Sequence, residues 1–117
     1  MTITVSTLKE RADFLRLRNG RKYTTPFFIL RAASSNVVGQ AGARVGYTVT
    51  TKCGNAVLRN RTKRRLRALV AEIFPEAAKA GHDYILIALD KAKPNAAEAP
   101  YADLRSAMQS AITAVHR

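Results

Sequence analysis

One stretch of this sequence, residues 52–74, restricts the possible folds and functions more than any other part of the chain. Its second half has apolar residues at the i, i+3, i+4 and i+7 spacing of one helix face, namely Leu66, Leu69, Val70 and Ile73. Its first half follows a Gly54-Asn55 break and carries six cations from Arg59 to Arg67, five of them arginine, with no acid. The pattern predicts a helix that is anchored in a core at one end and faces a polyanion at the other.

Apolar patterns elsewhere predict a small α+β domain around this helix. In chain order we predict a helix at 7–19, a short strand at 21–23, strands at 26–33 and 44–50, the basic helix at 55–74, a buried strand at 84–89 and a helix at 100–115. The order is α-β-β-α-β-α with one extra short strand, which indicates a single domain over 1–117 with a folded core at 6–116. Residues 34–43 and 91–98 are expected to be mobile loops.

Three local features follow from cap and breaker residues and from loop length. Ser6 or Thr7 is expected to cap the first helix, and Pro75 is expected to end the basic helix. The strands at 26–33 and 44–50 are close in sequence, so we expect them to pair antiparallel. Alternation in the first of these strands places Phe28 and Leu30 toward the core, with Ile29 and Arg31 on the other face.

The charge distribution indicates a polyanionic partner. The net charge is +12, and no acid lies between residues 14 and 71, where 13 of the 20 Lys and Arg residues are found. Nucleic acid is favoured over a membrane surface because the cations do not accompany an aromatic-rich apolar helix face. A single cysteine, no recognisable export signal and no apolar run near ~18 residues predict a cytoplasmic protein without a membrane partner.

The residue types that carry protein catalysis are poorly placed in this chain. No carboxylates are paired in the basic region, and His82 and His116 show no metal-ligand or triad spacing, so both are interpreted as exposed bystanders. Cys53 has no histidine partner in view and is interpreted as a small apolar residue in a turn. The sequence therefore predicts no catalytic residue, no metal site and no small-molecule cofactor.

Two surfaces are candidates for nucleic acid. Arginine forks bind phosphate oxygens bidentately and a helix start presents free N–H groups, so the basic half of the predicted helix is the first candidate. A charge run of this kind is more often a solvated face, but the arginine excess, the helix start and Asn60 together favour a site. The second candidate is a groove between the first helix and the sheet that would hold a single strand, lined by Phe14, Arg18, Ile29, Arg31 and Thr48.

The segment GNAVLRNRTKRRLR at 54–67 closely resembles the signature of the bacterial ribonuclease P protein subunit. Residues 8–14, 44–52 and 83–88 are also similar to that family, so the resemblance extends over 7–115. It implies a two-layer α/β sandwich of the ribosomal protein S5 domain 2-like type, with a left-handed βαβ crossover where the general rule is right-handed. It also implies a subunit that assists a catalytic RNA in removing the 5′ leader of precursor tRNA, with Mg²⁺ held mainly by the RNA.

The resemblance assigns roles to particular positions. Contacts to the RNA subunit are implied for Lys52, Asn55, Arg59, Asn60, Arg61, Lys63, Arg64, Arg65 and Arg67. A central cleft for the single-stranded leader is implied at Phe14, Ile29 and Arg31. The chain departs from the family pattern at Arg18, where an aromatic is frequent, at Thr51, where a second Lys is usual, and at Asp90, where a cation commonly follows the strand.

Three other functions are compatible with a basic α+β protein. A structural protein that binds ribosomal RNA would share the charge and the architecture. A helix-turn-helix DNA regulator is disfavoured because strands flank the basic helix and no short helix precedes it. A stand-alone nuclease would cleave without an RNA subunit, which the lack of a catalytic constellation disfavours.

Overall fold

The computed structural model of this chain describes residues 2–90 and 94–116. Five strands form one mixed sheet: β1 (Val5–Thr7), β2 (Arg21–Thr24), β3 (Phe28–Ser34), β4 (Ala43–Thr48) and β5 (His82–Ala88). Their order is β1-β4-β5-β3-β2, with β4 parallel to β1 and β5, and β3 antiparallel to β2 and β5. The helices are α1 (Arg11–Leu17), α2 (Ala56–Ala77) and α3 (Tyr101–Ala114), with one 3₁₀ turn at Thr51–Cys53.

The central strand β5 explains how the sheet is covered on both faces. Alternate residues such as Tyr84 and Leu86 are fully buried against the core formed with α2 and α3. The intervening Ile85 packs with Leu8 and Leu17 in a smaller cluster under α1. A strand buried on both faces needs a continuous apolar run, which is why this part of the sequence does not alternate with polar residues.

The basic helix forms where it is predicted but extends further. The side-chain oxygen of Asn55 accepts a hydrogen bond from the Leu58 N–H at 3.0 Å and caps the helix, after Gly54 has turned the chain with a φ of 126°. The expectation that Pro75 ends the helix is wrong. The Ala78 N–H donates to the Phe74 carbonyl at 2.9 Å and the Ile3 N–H donates to the Pro75 carbonyl at 2.8 Å, so one more turn is held around the proline.

The predicted antiparallel pairing of the second and third strands is wrong. β5 lies between β3 and β4 and pairs with both of them, antiparallel to β3 and parallel to β4. The reason is burial, because the strand that is apolar on both faces takes the central position of the sheet. The predicted alternation within β3 is confirmed, since Phe28 and Leu30 are fully buried while Ile29 and Arg31 are half-buried on the opposite face.

The start of the chain also differs from the prediction. Ser6 and Thr7 belong to β1, and the helix starts later, at Arg11, with Glu10 at the N-cap position and no side-chain cap. Pairing with β4 stabilises the extended backbone, through the bond from the Leu8 N–H to the Val45 carbonyl at 2.9 Å. Leu8 is consequently buried against the sheet instead of lying on a helix face.

The remaining elements follow the prediction closely. The short strand β2 is present, and α3 buries the predicted stripe, including Leu104, Met108, Ala111 and Ile112. The connection at 35–42 lies between β3 and β4, and part of the predicted loop at 91–98 lies outside the described residues. None of the three helices in 2–90 and 94–116 combines the length and the apolar character that a membrane span requires.

Candidate nucleic-acid interface

The first half of α2 presents its cations away from the core. The core residues of this helix start at Thr62 and Leu66, so the first turns have little contact with the rest of the protein. Lys52, Asn55, Asn60, Arg61, Arg64 and Arg67 are exposed, whereas Arg59, Lys63 and Arg65 are half-buried. Within the described residues, the side chains of Arg61, Lys63 and Arg64 make no hydrogen bond or ion pair, so their charges are available to a partner.

Arg65 has a different environment from its neighbours on α2. Its Nη1 and Nη2 atoms donate to the carbonyls of Ala96 and Ala99 at 3.0 and 2.6 Å, and its guanidinium lies 5.9 Å from the centre of the Tyr101 ring. These bonds hold the segment before α3 against α2. The sequence placed Arg65 with the RNA-contacting cations, but in the structure its guanidinium binds the protein itself.

Arg67 covers an aromatic residue of the sheet. Its guanidinium lies 5.6 Å from the centre of the Tyr47 ring on β4, within the range of a cation–π contact. Burial raises the pKa of Tyr47 to about 12, although the nearby positive charge of Arg67 opposes the rise. Tyr47 is therefore neutral over the physiological range, and Arg67 marks the junction between the anchored and the exposed halves of α2.

A cleft of about 330 Å³ lies between α1 and the sheet. Its lining comprises Arg11, Phe14, Leu15, Arg18, Arg31, Thr48, Ile85 and Ile87. Four of the five residues predicted for a single-strand groove are therefore brought together, and the fifth, Ile29, is on β3 opposite Ile87 of β5. The sequence prediction did not include Arg11 and Leu15 of α1 or Ile85 and Ile87 of β5. The two isoleucines could not be predicted because which residues of β5 face α1 depends on the strand order.

The ring of Phe14 is seated against β4 at a glycine. A Cβ atom at Gly46 would lie 2.6 Å from both the Cε1 and Cζ atoms of this ring, which is closer than van der Waals contact permits. Gly46 therefore allows the ring to lie against the strand.

The end of α1 is attached to the sheet by a different contact. The Nη1 atom of Arg31 donates to the Arg18 carbonyl at 2.8 Å and ties the end of α1 to β3.

A buried carboxylate connects α1 with the sheet. Asp83 has no exposed surface, and it accepts bonds from the Nε and Nη2 atoms of Arg44 at 2.9 and 2.6 Å and from the Nη2 atom of Arg16. Gln40 adds a bond at 3.3 Å. Burial alone would raise the pKa of Asp83, but the bonds from Arg44, Arg16 and Gln40 outweigh it and hold the pKa below its ordinary value.

Sequence reasoning did not find this network. The predicted strand at 84–89 leaves Asp83 just before its start, with no predicted partner. A signal was nevertheless present, because an acid at the edge of a strongly apolar strand requires a cationic partner once the strand is central. The identity of the partners could be learned only from the pairing of β4 with β5, which places Arg44 opposite Asp83.

The interpretation of both histidines as exposed bystanders is wrong. His82 and His116 are half-buried, their ring centres are 5.2 Å apart, and the Nε2 atom of His116 lies 2.5 Å from the Tyr84 hydroxyl. Burial lowers the pKa of His116, with further lowering from the positive charges of Lys79, His82 and Arg21. Across 2–90 and 94–116, no three His, Cys, Asp or Glu side chains are grouped to bind a metal ion.

Comparison with known proteins identifies the family. The model of the ribonuclease P family matches residues 4–116. The chain belongs to the ribonuclease P protein family. It is 43% identical over 118 residues to the ribonuclease P protein component of Paramagnetospirillum magneticum, covering 98% of this chain and 86% of that relative. It is 46% identical over 87 residues to that of Erythrobacter litoralis, covering 74% of this chain and 69% of that relative.

Solved structures of ribonuclease P proteins share the fold. The Thermotoga maritima protein superposes with a TM-score of 0.76 at 21% identity, covering 92% of this chain and 96% of that one. The Staphylococcus aureus protein gives a TM-score of 0.73 at 24% identity, covering 92% and 93%. The predicted α+β class and the predicted family are thus confirmed, and the function of the chain is that of the protein subunit of ribonuclease P in tRNA 5′ processing.

Proposed function

We propose that the two surfaces of this ribonuclease P protein bind two RNAs: the basic half of α2 binds the RNA subunit, and the cleft under α1 binds the 5′ leader of precursor tRNA. The observation that carries the proposal is the composition of the cleft. An aromatic ring, three arginines and two isoleucines of β5 line one groove of about 330 Å³. Single-stranded RNA is held in this way, by bases stacked on rings and by cations along its backbone.

The contribution of α2 is electrostatic. Residues that present charge or hydrogen-bonding groups to solvent there are Lys52, Asn55, Arg59, Asn60, Arg61, Lys63, Arg64 and Arg67. The helix start adds unpaired backbone N–H groups and the positive end of the dipole. Neutralising phosphates releases counterions, which favours binding of a folded RNA without reading its sequence. Arg65 contributes indirectly by holding the segment before α3.

The chemistry of leader removal is proposed to reside in the RNA subunit. The catalytic metal, Mg²⁺, would be bound mainly by RNA, because the described side chains offer no cluster of carboxylate or imidazole donors. The protein would then act by affinity, favouring tRNA that still carries its leader over the mature product. Precursor tRNA processing further implies that the protein acts in the cytoplasm.

The experiment is reconstitution of the protein with its RNA subunit at low Mg²⁺. We expect the protein to increase 5′ cleavage and to tighten binding of leader-bearing tRNA more than binding of leaderless tRNA. Phe14→Ala should reduce this leader preference by about tenfold, the loss expected for one base stacked on an aromatic ring. A protein that binds the RNA subunit but changes neither cleavage nor leader preference would contradict the proposal and favour a purely structural RNA-binding role.

A further inference from the structure

The helix that carries the cleft residues is too short to hold its position alone. α1 has seven residues, and its N-cap residue, Glu10, makes no side-chain hydrogen bond to it. Helices shorter than ~12–15 residues are marginal in water, so contacts with the rest of the protein must determine where α1 lies. These contacts are of two kinds, apolar packing and charged hydrogen bonds.

The two faces of α1 have different tasks. Arg11, Phe14 and Arg18 recur at i, i+3 and i+7 and line the cleft. Asp13 and Leu17 point elsewhere and are buried, and Arg16 is half-buried beside them. One face of α1 would therefore contact RNA, whereas the opposite face contacts only the protein.

The apolar contacts on that second face do not select one orientation. Leu17 packs with Leu8 and Ile85, and burial of such side chains stabilises many related arrangements because the hydrophobic effect is not directional. Arg16 is different, since its Nη1 atom donates to the Ser34 carbonyl at 2.8 Å while its Nη2 atom binds both Asp13 and Asp83. A planar guanidinium held at both terminal nitrogens fixes direction as well as distance.

Asp83 joins these contacts to the central strand of the sheet. It binds Arg16 of α1 and Arg44 of β4 together, and the Nη2 atom of Arg44 also lies 3.7 Å from Asp13 of α1. The carboxylate thus connects β5, β4 and α1 at a point with no solvent access. The Nη2 atoms of Arg16 and Arg44 both donate to the Oδ2 atom of Asp83, so the two positive charges lie close together. The charge of Asp83, with that of Asp13, offsets their repulsion, and neutralising Asp83 would weaken the network.

We infer that Asp83 is a positioning residue of the cleft: through Arg16 and Arg44 it fixes the orientation of α1 over the sheet, and with it the place of the Phe14 ring against Gly46 where a leader base would stack. The inference rests on the proposed function of the cleft. Asp83 itself touches no RNA in this arrangement, because it lies behind α1 and has no exposed surface.

Three variants test whether the orientation of α1, and not the net charge or the overall stability of the protein, determines leader preference. Asp83→Asn keeps the shape of the side chain and removes its charge, whereas Arg44→Lys keeps the charge and removes the bidentate fork. The second variant leaves the net charge of the protein unchanged, so its non-specific affinity for RNA is matched to wild type. The control is Glu72→Gln, which breaks an arginine–carboxylate pair with Arg105 between α2 and α3, on the other face of the sheet.

Two measurements are made on each folded variant. One is the leader preference of the reconstituted holoenzyme, the ratio of its affinities for leader-bearing and leaderless tRNA. The other is the NMR contact between the Phe14 ring protons and the Gly46 Hα protons in the free protein. We expect Asp83→Asn and Arg44→Lys to weaken this contact and to lower leader preference several-fold, up to about tenfold, with unchanged affinity for the RNA subunit. Glu72→Gln should change neither quantity.

A double-mutant cycle with Phe14→Ala decides whether Asp83 acts through the ring. If it does, Asp83→Asn has no further effect on leader preference once Phe14 is absent. Additive losses, or an unchanged leader preference in a folded Asp83 or Arg44 variant, would overturn the inference while leaving the cleft proposal intact. Should Phe14→Ala itself leave leader preference unchanged, the proposed function fails instead. If Asp83→Asn does not fold, the same double-mutant cycle is measured with Arg44→Lys and Phe14→Ala.

Discussion

The basic half of α2 and the cleft under α1 both carry arginines, but the arginines are held in different ways. On α2, the guanidinium groups of Arg61 and Arg64 make no hydrogen bond or ion pair within the described residues. Under α1, Arg31 donates to the Arg18 carbonyl, and Arg16 and Arg44 converge on Asp83. An exposed cation adapts to a phosphate wherever it lies, whereas a fixed arginine shapes a pocket. This difference supports the proposal that the first surface supplies electrostatic affinity and the second binds a single strand selectively.

The largest effect is expected from removing charge on α2. Replacing Arg61, Lys63 and Arg64 together by alanine should lower affinity for the RNA subunit by about a hundredfold or more in 0.1 M salt, and reduce the slope of log K against log salt by about 2–3. Filter binding across a salt series measures both quantities.

The matched control removes the same charge elsewhere. Lys9, Lys22 and Lys79 are exposed and lie outside α2, and their triple alanine variant should lose much less affinity. Equal losses for the two triple variants would mean that net charge alone, and not the position of the cations on α2, determines RNA binding.

Arg64 and Arg65 are neighbours in sequence that should behave differently. Arg65→Ala removes two charge-assisted hydrogen bonds to the carbonyls of Ala96 and Ala99 and should lower the free energy of unfolding by about 2 kcal/mol. Arg64→Ala removes an exposed side chain and should change it by less than about 0.5 kcal/mol. Urea denaturation followed by circular dichroism gives both values. Similar free energies for the two variants would show that the Arg65 bonds add nothing to stability.

Filling the space beside the Phe14 ring should affect only the cleft. Gly46→Ala introduces a Cβ atom that would lie 2.6 Å from the ring, so the ring must move. We expect leader preference to fall by up to about tenfold, with affinity for the RNA subunit unchanged. The control places Gly46→Ala in the Phe14→Ala background, where no ring remains to be displaced. A further loss there would assign the effect to the strand instead of the ring.

The smallest expected effect concerns Asp83 and the way the free energy of unfolding depends on acidic pH. The pKa of Asp83 is lowered in the folded protein, so as pH falls the unfolded chain takes up the proton first. The stability that the charged carboxylate contributes is present at neutral pH and is lost as pH falls below the ordinary value of 3.8. Urea denaturation between neutral and acidic pH should therefore show a shallower acid loss in Asp83→Asn than in wild type. Parallel curves would contradict the assigned shift.

Much of this protein could be predicted from the order of its residues. Local rules predict the apolar stripe of α2 and the alternation of β3, because spacing within one element is enough to define them. Composition was equally informative about the site, since an acid-free basic segment predicts a polyanion partner whatever the fold. The resemblance at 54–67 led to the family that the comparisons confirm.

The incorrect predictions have a common cause, which is contact with residues that are distant in sequence. Residues 5–7 form a strand because β4 offers them backbone hydrogen bonds, and α2 continues past Pro75 because Ile3 binds its carbonyl. Neither partner is visible from the local sequence. The same holds for His116, whose environment is made by Tyr84 and His82 of β5.

The sequence by itself determined that this protein has a basic helix, one apolar core and a polyanionic partner, because charge and periodicity are properties of consecutive residues. Only the tertiary structure decided that β5 lies between β3 and β4. That order places Asp83 beside Arg44 and brings Arg16 to the same carboxylate. The cleft exists because four elements, α1, β3, β4 and β5, meet there, and the contacts that hold it join residues up to 67 positions apart.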